Sequence, residues 1–168
     1  MHTELGELKK EVLMKGTIII GCRGLWNYTK KPSKKCILLD EKLFGGREDG
    51  EYLDSETYIK TAFSLADQGF TVLVSSSYLT FLNVEDLRDK YPNVKIVAFF
   101  PDKNIKLSWI KFLYKKYENT NDDKGAYLLY AYAEKKFDQD YSDIYWSNDI
   151  RMYTTMNMKT FTLKRPDC

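Results

Sequence analysis

Thr17-Ile18-Ile19-Ile20-Gly21-Cys22 is the stretch that decides the fold, because it is an apolar, β-branched run that ends at a glycine. Runs of this kind are typical of strands that are buried on both faces of a parallel sheet. Similar short apolar runs recur along the chain, at residues 35–40, 70–74 and 94–100. The sequence therefore predicts a sheet of buried strands.

Helical patterns stand between and around these strands. Asp54 or Ser55 can cap a helix that runs to about Asp67, and Gly69 occupies the position where a helix-terminal glycine belongs. Further elements are predicted as helices at residues 3–13, 84–90, 105–117 and from 125 onward, and as a last strand at 160–163. This alternation predicts an α/β fold with three layers, in which helices flank a mostly parallel sheet and extra helices follow at the C-terminus. No repeat or linker divides the chain, so residues 1–168 are interpreted as a single domain.

Composition narrows the class of protein. Hydrophobic residues make up 43% of the chain and charged residues 30%, which is typical of a globular protein. The net charge is only +2, whereas nucleic-acid-binding proteins usually carry a stronger excess of positive charge. No apolar run has the length of a membrane span and no signal peptide is recognisable, so we expect a cytoplasmic protein without a membrane partner.

Cysteine and histidine usage argues against two kinds of site. The three cysteines and the single histidine, His2, have no zinc-site spacing, so no metal site is predicted. Reduced cysteines are expected in this setting. The terminal position of His2 argues against a catalytic triad built on histidine.

Residues that follow the strands are the candidates for ligand binding, because ligands of open parallel sheets sit beyond the carboxyl ends of the strands. After the first strand, Gly21 and Gly24 stand at the first and fourth positions of a phosphate-binding loop. Trp26, Asn27 and Tyr28 stand where that loop needs glycine, lysine and a small hydroxyl residue. The alternatives are an ordinary strand-to-helix turn or a loop adapted to another ligand. The candidate nucleotide-binding residues are Gly21, Arg23, Gly24, Thr29, Ser75 and Ser76.

The same loop is both basic and aromatic. Five basic residues and no acidic residue lie between positions 23 and 35. Aromatic side chains beside basic ones suit protein hot spots and base stacking, although a solvated basic loop has the same composition. Tyrosines near the C-terminus extend the candidate surface. The candidate partner-binding residues are Arg23, Trp26, Tyr28, Lys30, Lys31, Tyr141, Tyr145 and Trp146.

The order of these features resembles small P-loop nucleotide-kinase-like proteins, of the adenylate and deoxynucleoside kinase type, found largely in bacteriophages. The segments that carry the resemblance are Leu38-Leu39-Asp40-Glu41, Tyr58-Ile59-Lys60, residues 72–76, Phe99-Phe100-Pro101-Asp102-Lys103, and a helix with Trp109 and residues 114–117. The resemblance covers roughly residues 16–117, and residues 118–168 would be a helical extension with the final strand.

Such kinases phosphorylate a nucleoside or nucleotide with Mg-ATP, but this chain departs from their pattern. Asn27 and Tyr28 replace the loop lysine and the hydroxyl residue that binds magnesium. Where the resemblance places lid arginines, the chain has Lys115 and Lys116, which supply charge without the bidentate fork of arginine. Because phosphoryl transfer depends on positioning and electrostatics, these replacements remove its basis.

Three functions remain open. The first is a catalytically degenerate, kinase-like phage protein that acts by binding and needs no cofactor: an inhibitor of a host protein, in a counter-defence role in the host cytoplasm, or a nucleotide-sequestering protein. The second is an active Mg-ATP-dependent kinase with a rearranged loop, whose catalytic residues would be Lys30, Lys31, Asp40, Lys115 and Lys116. The third is a nucleic-acid-binding module that uses the same basic and aromatic loop.

Overall fold

The structure is a computed structural model, and it describes residues 16–22, 25, 36–39, 44, 55–75, 84–119, 124–145 and 150–155. The helix predicted at residues 3–13 and the strand predicted at 160–163 lie outside the described residues.

One sheet joins all the described strands. They are β1 (Thr17–Gly21), β2 (Cys36–Leu38), β3 (Thr71–Ser75), β4 (Lys95–Pro101) and β5 (Arg151–Thr155). Their spatial order is β2-β3-β1-β4-β5, and all four pairings are parallel. The prediction of an α/β fold on a parallel sheet is therefore confirmed. The predicted three layers and the likeness to P-loop kinases stay predictions, because the strand order does not test them.

Helices connect most of these strands. They are α1 (Ser55–Asp67), α2 (Val84–Lys90), α3 (Lys106–Glu118) and α4 (Lys124–Tyr145), with a short 3-10 helix at Lys103–Ile105 before α3. The predicted bounds at 84–90 match α2, and those at 105–117 differ from α3 by one residue at each end. None of the helices in the described ranges is long and apolar enough to cross a membrane.

The core forms because β1 lies in the middle of the sheet. Every residue of β1 is buried. Ile18 and Ile20 pair in register with Ile96 and Ala98 of β4, so side chains of equal height stack across the sheet. An apolar stripe of α1 closes over the core, with buried residues Tyr58, Ile59, Ala62, Phe63 and Ala66.

Two glycines with positive φ flank the segment that runs from the start of β1 to the end of α1. Gly69 (φ 99°) follows α1 and donates its N–H to the carbonyl of Ala66 at 2.9 Å, which confirms the predicted helix-terminal glycine. Gly16 (φ 81°) precedes β1, and a Cβ there would lie 3.1 Å from the carbonyl oxygen of Ala66. Both positions favour glycine, since other residues rarely adopt this backbone conformation.

Helices α3 and α4 form an antiparallel hairpin. At one end, the Lys106 ammonium lies 2.6 Å from the Asp138 carboxylate. At the other end, the rings of Tyr117 and Tyr127 lie 5.4 Å apart. The start of α3, which follows β4 directly, therefore lies beside the C-terminal part of α4.

Candidate ligand site at the carboxyl edge of the sheet

The strand order predicts where a ligand binds. After β1 the chain continues to β2, which is the strand at one lateral end of the sheet. After β4 it continues to β5, which is the strand at the opposite end. Adjacent strands with connections that diverge in this way leave a crevice beyond their carboxyl ends, which is the usual ligand site of open α/β sheets. For this chain the rule predicts the crevice beside Gly21 and Cys22 after β1, and beside Asp102 after β4.

The structure brings two predicted nucleotide-binding positions together at this edge. Gly21 and Ser75 are direct register partners at the ends of β1 and β3. On its other side Gly21 pairs with Phe99 of β4. The other predicted loop and strand-end residues lie outside the described residues; these are Arg23, Gly24, Trp26, Tyr28, Thr29, Lys30, Lys31, Asp40, Ser76 and Trp146.

The predicted lid lysines lie elsewhere on the molecule. Lys115 and Lys116 belong to the last turn of α3. That helix begins at the carboxyl edge with Lys106, and a rise of 1.5 Å per residue puts Lys115 roughly 13 Å farther along the axis. The Lys116 ammonium lies 5.3 Å from the centroid of the Phe112 ring. Lys115 and Lys116 therefore lie at the end of α3 that is farther from the carboxyl edge.

One of the C-terminal residues predicted to bind a partner, Tyr141, is buried in the structure. Tyr141 is only 7% exposed, stacks on Phe137 and meets Phe100 edge to face at 6.3 Å between centroids. Its ring is thus a core side chain and offers no surface to a partner. Tyr145, the last residue of α4, follows one turn later.

Sequence reasoning missed a buried pair of titratable groups beside β1. Cys22 is 4% exposed and Asp140 is 8% exposed. Burial raises the pKa of the Cys22 thiol well above its ordinary value of 9.0, and the negative charge of Asp140 raises it further. A signal for Asp140 was present, because it shares the helical stripe of the buried residues Ala133 and Phe137.

Asp102 links the ends of β4 and β5. One of its carboxylate oxygens accepts a hydrogen bond from the N–H of Asn104 at 2.9 Å, which caps the 3-10 helix. The other accepts a hydrogen bond from the Thr154 hydroxyl at 3.3 Å. Thr154 is buried, and this hydrogen bond joins the residue after β4 to the edge strand β5.

Two lysines supply positive charge at the same edge. The Lys103 ammonium lies 5.6 Å from the centroid of the Tyr141 ring. The Lys106 ammonium lies 5.8 Å from the centroid of the Phe137 ring, and it pairs with Asp138. Both lysines follow the fourth strand, and residues that follow the strands are the general candidates for ligand binding.

The chemistry of this edge favours binding over nucleophilic attack. A thiol with a raised pKa stays protonated at neutral pH, and the thiolate is the nucleophilic form. Cys22 is a free thiol. Among the described residues, no group of three or more histidine, cysteine, aspartate or glutamate side chains has the arrangement of a metal site.

The buried thiol predicts a specific pH dependence. Because the folded pKa of Cys22 is raised, its contribution to stability is complete below the unfolded value near 9.0 and is lost as the pH rises toward the folded pKa. We expect the free energy of unfolding of the native chain to fall faster above pH 9.0 than that of Cys22→Ala, by up to about 1.4 kcal/mol per pH unit. Urea unfolding of both proteins between neutral and alkaline pH measures this difference. A pH-independent difference would contradict it.

No protein-family model, no curated protein and no solved structure matches the chain.

Proposed function

We propose that the chain is a catalytically inactive, nucleotide-kinase-like protein that works by binding, and that it binds a nucleotide at the carboxyl edge of its sheet without transferring phosphate. The observation that carries this proposal is the position of β1. This strand lies in the middle of a parallel sheet and ends at Gly21, beside the crevice that the topology predicts between β1 and β4.

The residues around the crevice suit both parts of a nucleotide. Carboxylates such as those of Asp102 and Asp140 accept hydrogen bonds of the kind that ribose hydroxyls and base amino groups donate. Lys103 and the basic segment 23–35, which follows β1 in the sequence, supply positive charge for phosphate.

The absence of phosphoryl transfer follows from the sequence of the loop. Transfer needs a lysine on the β- and γ-phosphates and a hydroxyl on Mg²⁺. Asn27 and Tyr28 hold those positions here. Lys115 and Lys116 end α3 roughly 13 Å from Lys106 along the helix axis, which supports a structural role at the helix C-terminus over a role as lid cations.

A thermal-shift titration with ATP, in the presence and absence of Mg²⁺, tests the proposal together with an assay for phosphoryl transfer. A ligand at about one hundred times its Kd stabilises the folded state by about 2.7 kcal/mol. We expect ATP to raise the Tm equally with and without Mg²⁺, and we expect no transfer to any nucleoside or nucleotide. Mg²⁺-dependent transfer would establish the active kinase instead.

A pair of charge reversals on neighbouring elements locates the binding site. Lys103→Glu reverses a charge at the carboxyl edge, and we expect it to weaken ATP binding roughly tenfold. Lys111→Glu makes the same change in the middle of α3, away from the edge, and we expect less than a twofold effect. Equal effects of the two variants would show that net charge, and not this edge, determines the affinity.

Inhibition of a host protein is the second candidate, and it rests on the resemblance to phage proteins. One described feature favours a protein partner, namely the apolar side chains that the α3–α4 hairpin exposes. Nucleic-acid binding by the basic segment is the third candidate. It would require an affinity that falls steeply with salt.

A further inference from the structure

Two lysines that follow β4 rest on aromatic rings of α4. The Lys103 ammonium lies 5.6 Å from the centroid of the Tyr141 ring, and the Lys106 ammonium lies 5.8 Å from that of the Phe137 ring. The two rings stack on each other, with 6.2 Å between their centroids and 19° between their planes. The lysines are three residues apart across the 3-10 turn, a spacing that puts side chains on one side of such a turn. Both ammonium groups are therefore held against a single aromatic stack.

The two lysines differ in their counter-ions. The Lys106 ammonium lies 2.6 Å from a carboxylate oxygen of Asp138, and these two side chains are 27% and 65% exposed. Lys103 is exposed, and within the part of the chain that the structure describes it has no ion pair. An exposed ion pair contributes little to stability, because water and salt screen it. A phosphate that carries two negative charges can therefore displace the Asp138 carboxylate from Lys106.

Three carboxylates with described side chains lie around these lysines, and they differ in how freely they can move. Asp102 is held by two hydrogen bonds, one from the Asn104 N–H and one from the Thr154 hydroxyl. Asp140 is buried in the core, at 8% exposed. The Asp138 side chain is largely exposed, so it can turn into solvent at little cost. Because three negative charges surround two positive ones, a phosphate binds here more favourably once Asp138 has turned away.

We propose that Lys103 and Lys106 together bind the phosphate of the nucleotide, and that Asp138 competes with this phosphate for Lys106. The inference rests on the proposed function and adds to it a phosphate subsite with an internal competitor. It makes the ligand a nucleotide and not a nucleoside, because a nucleoside offers the two lysines no charge. Since the competitor belongs to the chain itself, it keeps the affinity for phosphate below the value that the two lysines alone would give.

Isothermal titration calorimetry of the full chain with ATP and with adenosine, both without Mg²⁺, tests the inference. We expect Asp138→Asn to tighten ATP binding about threefold and to leave the affinity for adenosine unchanged. We expect Lys106→Gln to weaken ATP binding about fivefold, again without an effect on adenosine. Asp89→Asn removes an exposed carboxylate from α2 with the same change in net charge, and this matched control should bind ATP as the native chain does. Circular dichroism checks that each variant is folded.

The double variant separates competition for Lys106 from a general effect of charge. If Asp138 acts by occupying Lys106, the chain with both Lys106→Gln and Asp138→Asn binds ATP as tightly as Lys106→Gln alone. If Asp138→Asn tightens ATP binding by the same factor in both backgrounds, Asp138 acts only as a nearby negative charge, and that result would contradict the inference.

The outcomes also distinguish this inference from the proposed function. If the native chain binds ATP and neither Lys106→Gln nor Asp138→Asn alters the affinity, the inference is overturned and the proposed function stands. If neither the native chain nor Asp138→Asn binds ATP, both are overturned. If Asp138→Asn binds ATP and the native chain does not, the inference is supported, with Asp138 as a competitor strong enough to prevent binding.

Discussion

Replacing Trp109 by alanine is expected to lower the free energy of unfolding by about 3–5 kcal/mol. Among the described residues, Trp109 is the largest fully buried side chain, at 1% exposed, and it stacks on Phe112 with 5.6 Å between ring centroids. With Leu113 it forms the buried side of α3. Total stabilities are commonly 5–15 kcal/mol, so the loss would take a large part of the stability of the protein. Urea unfolding followed by circular dichroism measures it.

The control for this prediction lies two residues earlier on the same helix. Leu107 is 80% exposed, and we expect Leu107→Ala to change the free energy of unfolding by less than about 0.5 kcal/mol. Similar losses for the two variants would mean that the face of α3 that packs against the rest of the molecule is not the one that carries Trp109 and Leu113.

Replacing Phe100 by alanine should cost a similar amount, about 3–5 kcal/mol, and it tests the candidate site as well as the core. Phe100 is fully buried in β4, one residue before the end of the strand. Its ring meets that of Tyr141 edge to face, 6.3 Å between centroids. This contact places the C-terminal part of α4 against the carboxyl edge, where Asp140 acts on Cys22.

A double-mutant cycle with Tyr141→Ala isolates that contact. Rings in contact contribute about 0.5–1.5 kcal/mol beyond their buried area, so the double variant should lose less stability than the sum of the single variants by about that amount. Strict additivity would contradict the packing of α4 on the end of β4, and the electrostatic account of Cys22 would fail with it.

The central strands were predictable because their environment is simple. β1, β3 and β4 are short apolar runs between residues that interrupt strands. A continuous apolar run is the pattern expected of a strand that is buried on both faces of a parallel sheet. Gly69 was predictable for a similar reason, since a helix that must end before a buried strand commonly uses a glycine with positive φ. Each of these signals is local in the sequence.

β5 was not predicted, and its sequence explains why. Arg151-Met152-Tyr153-Thr154-Thr155 has no continuous apolar run. It lies at the edge of the sheet and gains its position by pairing with β4. Its register is therefore a tertiary property, because each of its register partners in β4 lies 54 residues earlier in the sequence.

The candidate site was predictable only in part. The position of Gly21 and Ser75 at one edge follows from parallel strands, which the sequence indicated. The proximity of Asp140 to Cys22 depends on how α4 packs against the sheet, which no local pattern encodes. The same packing buries Tyr141, which the sequence analysis places on the candidate partner surface.

The most direct test of nucleotide binding at the carboxyl edge is an amide ¹H–¹⁵N correlation spectrum recorded during titration with ATP in the absence of Mg²⁺. We expect the shifts to concentrate on Gly21, Cys22, Ser75 and Lys103, at the carboxyl ends of β1, β3 and β4. The amides of Gly16 and Lys95, at the opposite edge, should stay unchanged. An unchanged spectrum at saturating ATP, or shifts that concentrate at the opposite edge, would contradict the account.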